Sequence, residues 1–264
     1  MPAGPADLLE LAQRVAREVG QEIAGRRKLG ELVVSTKSSA TDMVTELDGA
    51  AEALIASALA HARPDDGLLG EEGTVRTGRT GIDWVVDPID GTTNFLYDLP
   101  GWAVSIAAVD SDGPVAGAVF VPTTDELFSA ARGHGAHLDG RPLHCSTKTD
   151  LATALVGTGF SYQSARRGEQ GMVIAALLPR VRDIRRFGAA SVDLCSVAAG
   201  RLDAYFEEGL APWDLAAGEI IAREACAVLS DLDGGPVRPG SVVACPPALH
   251  RPFLDLLGAL GPPR

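Results

Sequence analysis

The sequence predicts a two-part protein of mixed α and β structure, with an antiparallel sheet backed by helices in its first half and a smaller α/β second half. Three patterns carry this expectation. Apolar residues recur at intervals of three and four near the start (Leu8, Leu11, Val15, Val19, Ile23), β-branched runs separated by Asp-Gly turns fill the middle, and from Leu151 helical and strand patterns alternate. The first pattern gives an opening helix, and a second helix is expected over about 49–61. The apolar run 82–86 reads as a buried strand, and Pro88, which has no amide hydrogen to donate, should end it near Asp87. Strands over 102–109 and 115–121 are joined through Ser111-Asp112-Gly113, another covers 126–131, and Asp139-Gly140 marks a last hairpin. The second half reads as strand 154–157, helix 169–181, strand 184–187, helix 191–199, strand 203–206, a helix from Asp214, strand 242–244 and a terminal helix over 247–257. The expected division is residues 1–145, with most of the candidate ligands, and residues 146–264, with Asp214 and the substrate contacts.

The most informative segment is Trp84-Val85-Val86-Asp87-Pro88-Ile89-Asp90-Gly91-Thr92-Thr93-Asn94-Phe95. It puts two carboxylates three residues apart where a strand breaks into a Gly-Thr-Thr turn. Held close together, such carboxylates repel unless a cation lies between them, and hard oxygen ligands suit a hard ion such as Mg²⁺. Gly91 lets the backbone approach a ligand, and the amides of Gly91, Thr92 and Thr93 open a short helix that can receive an anion. A D-x-x-D pair is also ordinary turn chemistry. Three further acidic segments add weight: Gly70-Glu71-Glu72-Gly73, Pro212-Trp213-Asp214 ahead of an Ala-rich helix, and the run from Lys37 to Asp48 that contains Asp42. Asp214 and Asp48 each suit a helix N-cap as well as a ligand.

Together the D-P-I-D-G-T-T-N-F run, the upstream G-E-E-G, the K-S-S-x-x-D-x-V-T-x-x-D segment and the downstream W-D resemble the inositol monophosphatase family, in order and spacing, over nearly the whole chain. The resemblance implies the layered α-β-α-β-α sandwich of the sugar phosphatases, with the metal site where the two halves meet. It implies that Glu71, Asp87 and the Ile89 carbonyl hold one Mg²⁺ and that Asp87, Asp90 and Asp214 hold a second, with a third, weaker ion near Glu71. Asp48 and Thr92 match the pair that orients and deprotonates the attacking water. Gly91 and Thr92 match the phosphate cradle, and Gly188, Ala190 and Glu207, with Asp90 and Asp214, match the substrate contacts.

The implied activity is Mg²⁺-dependent hydrolysis of inositol monophosphate or a related small polyol phosphate, a phosphoric monoester hydrolase in which bound metal activates water. The rivals within the family are histidinol-phosphate phosphatase, for which Glu207, Glu208 and Asp193 could supply acid, and fructose-1,6-bisphosphatase. A different class of function, a protein-binding regulatory role in transcription, would not need the ligands. The family also implies a homodimer and lithium sensitivity. Tyr97 and Cys226-Ala227 depart from its usual histidine and Gly-Gly, the second removing a flexible helix cap, and Arg185 and Arg186 read as an exposed basic pair, with help to a second anionic group as the alternative.

Composition fits this picture. With 264 residues, 46% of them hydrophobic, the chain can bury a sizeable core. A net charge of −12 argues against general affinity for nucleic acid or an anionic membrane. The N-terminus lacks signal-peptide character and no apolar stretch is long enough to span a bilayer, so a cytoplasmic protein is expected. The four cysteines fall in no C-x-x-C spacing and are expected as buried free thiols, and the five histidines as surface or turn residues.

Overall fold

The computed structural model describes residues 4–30, 34–36 and 43–261. Helix α1 (Pro5–Lys28) starts on a proline whose fixed φ suits the first helical position, ends on Arg26, Arg27 and Lys28, and buries the expected stripe from Leu8 to Ile23. A small ribbon pairs β1 (Val34–Thr36) with β2 (Met43–Thr45); the acidic segment from Lys37 to Asp42 lies outside the described residues. Helix α2 (Glu46–Ala62) begins three residues ahead of the expected start, because Thr45 and not Asp48 is its cap. Thr45 Oγ1 accepts from the Leu47 amide at 3.1 Å, and Asp48, at the third helical position, accepts from the Thr45 amide at 2.8 Å.

The first sheet contains β3 (Gly67–Gly70), β4 (Val75–Arg76), β5 (Asp83–Asp90), β6 (Ala103–Asp110), β7 (Gly113–Val121), β8 (Glu126–Ala131), β9 (Ala136–Leu138) and β10 (Arg141–Pro142). Its order is β10-β9-β8-β7-β6-β5-β3-β4, antiparallel apart from the parallel pair β3 and β5. One expectation is corrected: β5 does not stop near Asp87 but continues to Asp90. Asp87 pairs with Ser105 and Asp90 with Ala103, so Pro88 and Ile89 together face Val104 alone, and this bulge absorbs the donor that proline lacks. Helix α3 (Thr92–Leu96) follows at once. Asp139 and Gly140 both adopt positive φ, 48° and 77°, as a two-residue hairpin turn demands.

The second sheet runs β12 (Asp183–Arg185), β11 (Leu155–Thr158), β13 (Ala204–Glu208), β15 (Ser241–Cys245), β14 (Val228–Ser230), with the first two pairings parallel. Its helices are α4 (Ser164–Leu177), α5 (Ala190–Ala198), α6 (Pro212–Glu224) and α7 (Pro247–Leu260). Helix α4 begins five residues before the expected position and gives way to a 3₁₀ turn, Leu178–Arg180, where Pro179 intervenes.

Helices α1 and α2 cover one face of the first sheet, α5 and α6 lie between the two sheets, and α4 and α7 cover the far face of the second. This is the expected α-β-α-β-α sandwich. The central layer packs tightly: a Cβ on Gly117 of β7 would stand 2.9 Å from Ala217 Cα on α6. Helix α6 ends in a Schellman motif, with the Ala227 amide bonded to Ala222 O at 3.0 Å and the Cys226 amide to Arg223 O at 2.9 Å. Cys226 therefore takes the left-handed position at φ 67° that glycine usually fills, and it is exposed, unlike the buried Cys195 and Cys245. All four thiols are free. His250 is partly buried: its Nε2 lies 2.9 Å from Ser230 Oγ, and burial lowers its pKa. None of the described helices is long and apolar enough to cross a membrane.

Candidate metal centre and active site

Three elements bring four acids into one cluster. The bulged end of β5 supplies Asp87 and Asp90, the turn after β3 supplies Glu71, and the first turn of α6 supplies Asp214. One oxygen each from Asp87, Asp90 and Asp214 lies within 4.8 Å of the others. Oxygens that share a hard cation, bonded at about 2.0–2.1 Å for Mg²⁺ or about 2.3–2.6 Å for Ca²⁺, stand no more than about 4–5 Å apart. The donor set thus suits a hard cation.

The electrostatics point the same way. Asp87 is 2% exposed and Asp90 7%. Burial, and then the charges of Glu71, Asp90 and Asp214, push the Asp87 carboxyl well above the usual range, and Asp87 also shares a hydrogen bond with Glu71. Burial raises Asp90 to about 6 against the opposing pull of its Ser191 bonds, and burial and the Asp90 charge raise Asp214. Each acid is nonetheless fixed in place. Asp87 Oδ1 accepts from the Ile89 amide at 3.0 Å, and Asp90 Oδ2 accepts from the Ser191 amide at 2.7 Å and its hydroxyl at 2.5 Å, at the start of α5. Asp214 Oδ2 accepts from the Ala211 amide at 2.6 Å. Ala211 is the cap residue, so Asp214 occupies the third helical position and not the N-cap position expected for it.

Above the cluster lies a cleft of about 420 Å³. Of the residues singled out in the sequence, Glu71, Asp87, Ile89, Asp90, Gly91, Thr92, Gly188, Ala190, Glu207 and Asp214 all line it. Gly91 has φ 87° and packs so closely that a Cβ would stand 3.2 Å from Gly188 O. Thr92 Oγ1 donates to Ile89 O at 3.2 Å. Asp48 is the exception: it is buried, its Oδ2 is held by the Thr45 amide and hydroxyl at 2.8 and 2.5 Å, and it is not among the residues lining the cleft.

Further residues stand around this set. Arg185 is exposed and pairs with Asp183 at 2.6 Å, as expected of a surface basic residue. Its neighbour Arg186 instead lines the cleft, with its guanidinium where a Gly188 side chain would be. Burial raises Glu207 to about 7, offset in part by the Tyr205 hydroxyl at 2.5 Å. Behind it Asp193 is raised by burial and by the Glu207 charge, and its Oδ1 has no hydrogen-bond partner. Asn94 ties α3 to two other segments, its Nδ2 donating to Gly101 O at 3.1 Å and Phe187 O at 2.7 Å. It belongs to the D-P-I-D-G-T-T-N-F run and was visible there, whereas nothing in sequence marks Ser191.

Known proteins are similar to this chain in sequence and fold. The sequence profile of the inositol monophosphatase family matches residues 5–257. The inositol-1-monophosphatase SuhB of Mycobacterium tuberculosis (strain ATCC 25618 / H37Rv) is 45% identical over 239 residues, covering 84% of this chain and 82% of its own. The Nus factor SuhB of Escherichia coli K12 is 38% identical over 251 residues, 94% of each chain. Among solved structures, the extragenic suppressor protein suhB of Bartonella henselae superposes with a TM-score of 0.89 at 35% identity, covering 94% of this chain and 97% of that one. The Thermotoga maritima IMPase gives 0.88 at 29% identity, with 96% and 98% covered. A five-layer sandwich, a D-P-I-D-G-T-T motif at the bulged end of a strand and a profile match spanning the fold converge: the chain belongs to the inositol monophosphatase family.

Proposed function

We propose that this protein is a Mg²⁺-dependent phosphomonoesterase acting on inositol monophosphate or a related small polyol phosphate. The observation that carries the proposal is the set of three carboxylates within 4.8 Å, at the foot of a cleft wide enough for a sugar-sized ligand. Buried acids raised by one another's charge are costly unless a cation neutralises them.

In this reading Glu71, Asp87 and the Ile89 carbonyl hold one Mg²⁺, and Asp87, Asp90 and Asp214 hold a second, with a third ion near Glu71. Bound Mg²⁺ supplies a water of lowered pKa and charge stabilisation for the leaving oxygen. The chain's own groups do the rest. Ser191 and the start of α5 keep Asp90 oriented toward the cluster, and Thr92 orients the attacking water from the cleft wall. Asp48 is kept as its proposed partner, with its carboxylate turned to Thr45. The amides of Gly91 and Thr92 meet the phosphate, while Gly188, Ala190 and Glu207 meet the hydroxyl groups of the leaving polyol, where the halves 1–145 and 146–264 adjoin. Histidinol phosphate and fructose 1,6-bisphosphate remain the rival substrates.

The test is phosphate release from myo-inositol 1-phosphate, histidinol phosphate, fructose 1,6-bisphosphate, 3′-phosphoadenosine 5′-phosphate and glycerol 2-phosphate, each with Mg²⁺ and with EDTA. An EDTA-sensitive preference names the substrate, and absence of turnover on all five rejects the enzyme reading. The same proposal includes a lithium-sensitive cytoplasmic homodimer, which Li⁺ titration, cell fractionation and light scattering test.

The names borne by the Escherichia coli and Vibrio cholerae relatives, each a Nus factor, favour a second reading: a protein-binding regulatory role in transcription. Asp90→Asn separates the two, since association with the transcription machinery should survive it and phosphatase activity should not.

A further inference from the structure

We infer that Glu52 is a positioning residue for the candidate metal centre, acting through Glu71; this deepens the metal reading above and rests on it. Glu52 lies on α2, outside the cleft, and is 2% exposed. Both of its carboxylate oxygens are committed to the turn after β3. Oε2 accepts from the Glu72 amide at 2.7 Å and Oε1 from the Thr74 amide at 2.8 Å. The absence of a side chain at Gly70 makes this possible, since a Cβ there would stand 2.3 Å from Glu52 Oε2.

The turn closes on itself through the Gly70 amide and Thr74 O at 2.8 Å, and joins β5 through the Glu71 amide and Val86 O at 3.2 Å. The backbone is therefore pinned on both sides of the Glu71 Cα: its own amide is held by β5 and the next one by Glu52. That fixes the direction in which the Glu71 carboxyl leaves the turn, into the cleft and against Asp87. Only a carboxylate suits this task. Two N–H donors converge from one turn, and a single ionised group accepts from both with charge-assisted bonds of roughly twice the neutral strength. Were packing the sole requirement, an apolar side chain would fill the space without the desolvation cost of a buried charge.

The experiment measures Mn²⁺ binding to the whole chain by electron paramagnetic resonance, and half-saturating Mg²⁺ for phosphate release. The variants are Glu52→Gln, Gly70→Ala, Glu71→Gln and the Glu52→Gln/Glu71→Gln pair, with circular dichroism and thermal melts to confirm folding. Glu52→Gln keeps the volume but turns an amide group toward one N–H donor. It should weaken Mn²⁺ binding about 10-fold, the lower end of what loss of an outer-shell partner does, and raise half-saturating Mg²⁺ while kcat at saturating Mg²⁺ changes little. Gly70→Ala, which leaves Glu52 in place but crowds it out of the turn, should do the same and serves if Glu52→Gln fails to fold. Because Glu52 acts through Glu71, adding Glu52→Gln to Glu71→Gln should bring no further loss. Losses that add fully in the double variant, or single-variant affinities within about 2-fold of wild type, overturn the inference. Wild-type protein that binds no Mn²⁺ overturns the metal reading itself, a result distinct from normal wild-type binding with an indifferent Glu52→Gln.

Discussion

Neutralising Asp90 should abolish binding of the ion it shares with Asp87 and Asp214 and at the same time strengthen the metal-free fold. In the absence of a cation, burial holds the Asp90 carboxyl at about 6, against an ordinary value of 3.8. At about 1.4 kcal/mol per pH unit, ionising it in the folded protein then costs about 3 kcal/mol. The sign follows from linkage. A carboxyl raised in the folded state binds protons more tightly there than in the unfolded chain, so stability is full below pH 3.8, falls as pH rises toward 6, and stays low above it. Asparagine at position 90 has no such penalty. Its carbonyl oxygen can still accept from both Ser191 donors that now meet Oδ2 at 2.7 and 2.5 Å, but as neutral and not charge-assisted bonds, and that weakening returns about 1 kcal/mol.

The net expectation for Asp90→Asn in EDTA at pH 8 is a gain of about 2 kcal/mol, or roughly 4–8 °C in melting temperature for a chain of this size. The gain should vanish by about pH 4. Mg²⁺ should raise the wild-type melting temperature by more than the variant's, which keeps only the ion held by Glu71, Asp87 and the Ile89 carbonyl. Urea titrations and thermal melts at pH 4, 6 and 8, with Mg²⁺ or EDTA, measure all of this. A variant less stable than wild type in EDTA at pH 8 refutes the reasoning, because the acids would then be held together by something other than a cation they await.

Three further outcomes follow from local geometry. Asp66 is 1% exposed, and although burial raises its pKa, bonds from Arg63, Thr80 and Trp84 outweigh that and hold it below 3.8. Asp66→Asn should lose about 2–3 kcal/mol at pH 7 by urea titration, near the low end for a broken buried pair because Arg63 is 23% exposed, and the deficit should shrink as pH falls below about 4. Cys226→Gly should raise stability by up to about 1 kcal/mol, since a side chain at φ 67° is strained and glycine is not; an unchanged urea midpoint counts against it. Glu207 is raised to about 7 and so titrates within the working range, and Glu207→Gln should flatten the limb of kcat/KM near that pH in a polyol phosphate assay.

The fold was legible wherever its signals are local. The strand pairs around Asp112-Gly113 and Asp139-Gly140 follow from β-branched runs and turn residues that carry their own instructions. The strands that escaped, β1, β2, β3, β4 and β14, are two to four residues long and exist because a neighbouring strand offers them partners, which no window of sequence reveals. Thr45-x-x-Asp48 held a readable capping signal that places Thr45 at the cap. The site divides in the same way. Its acids stand in a compact motif, but what orients them is distant: Ser191 is 101 residues from Asp90, and Phe187 is 93 from Asn94. Arg185 and Arg186 are equivalent in sequence. On extended backbone at the end of β12 successive side chains point to opposite sides, so Arg185 shares a side with Asp183 and Arg186 turns to the cleft.

Asp214 shows why capping and metal binding need not be alternatives. Its Oδ2 takes the Ala211 amide at 2.6 Å, but a carboxylate has about four lone-pair sites, and that single bond leaves capacity for a cation on the side of Asp87 and Asp90. Two substitutions separate the roles. Asp214→Asn keeps an oxygen for the Ala211 amide and removes the charge, whereas Asp214→Ala removes both. In EDTA at pH 8 the asparagine variant should exceed wild type in stability, because burial and the Asp90 charge disfavour ionisation of this acid. The alanine variant should fall below the asparagine variant by about 1 kcal/mol, the usual worth of a helix-start hydrogen bond. With Mg²⁺ neither should gain what wild type gains. If the two variants melt together in EDTA, the bond to Ala211 does nothing for α6; if either is stabilised by Mg²⁺ as wild type is, Asp214 is not a ligand.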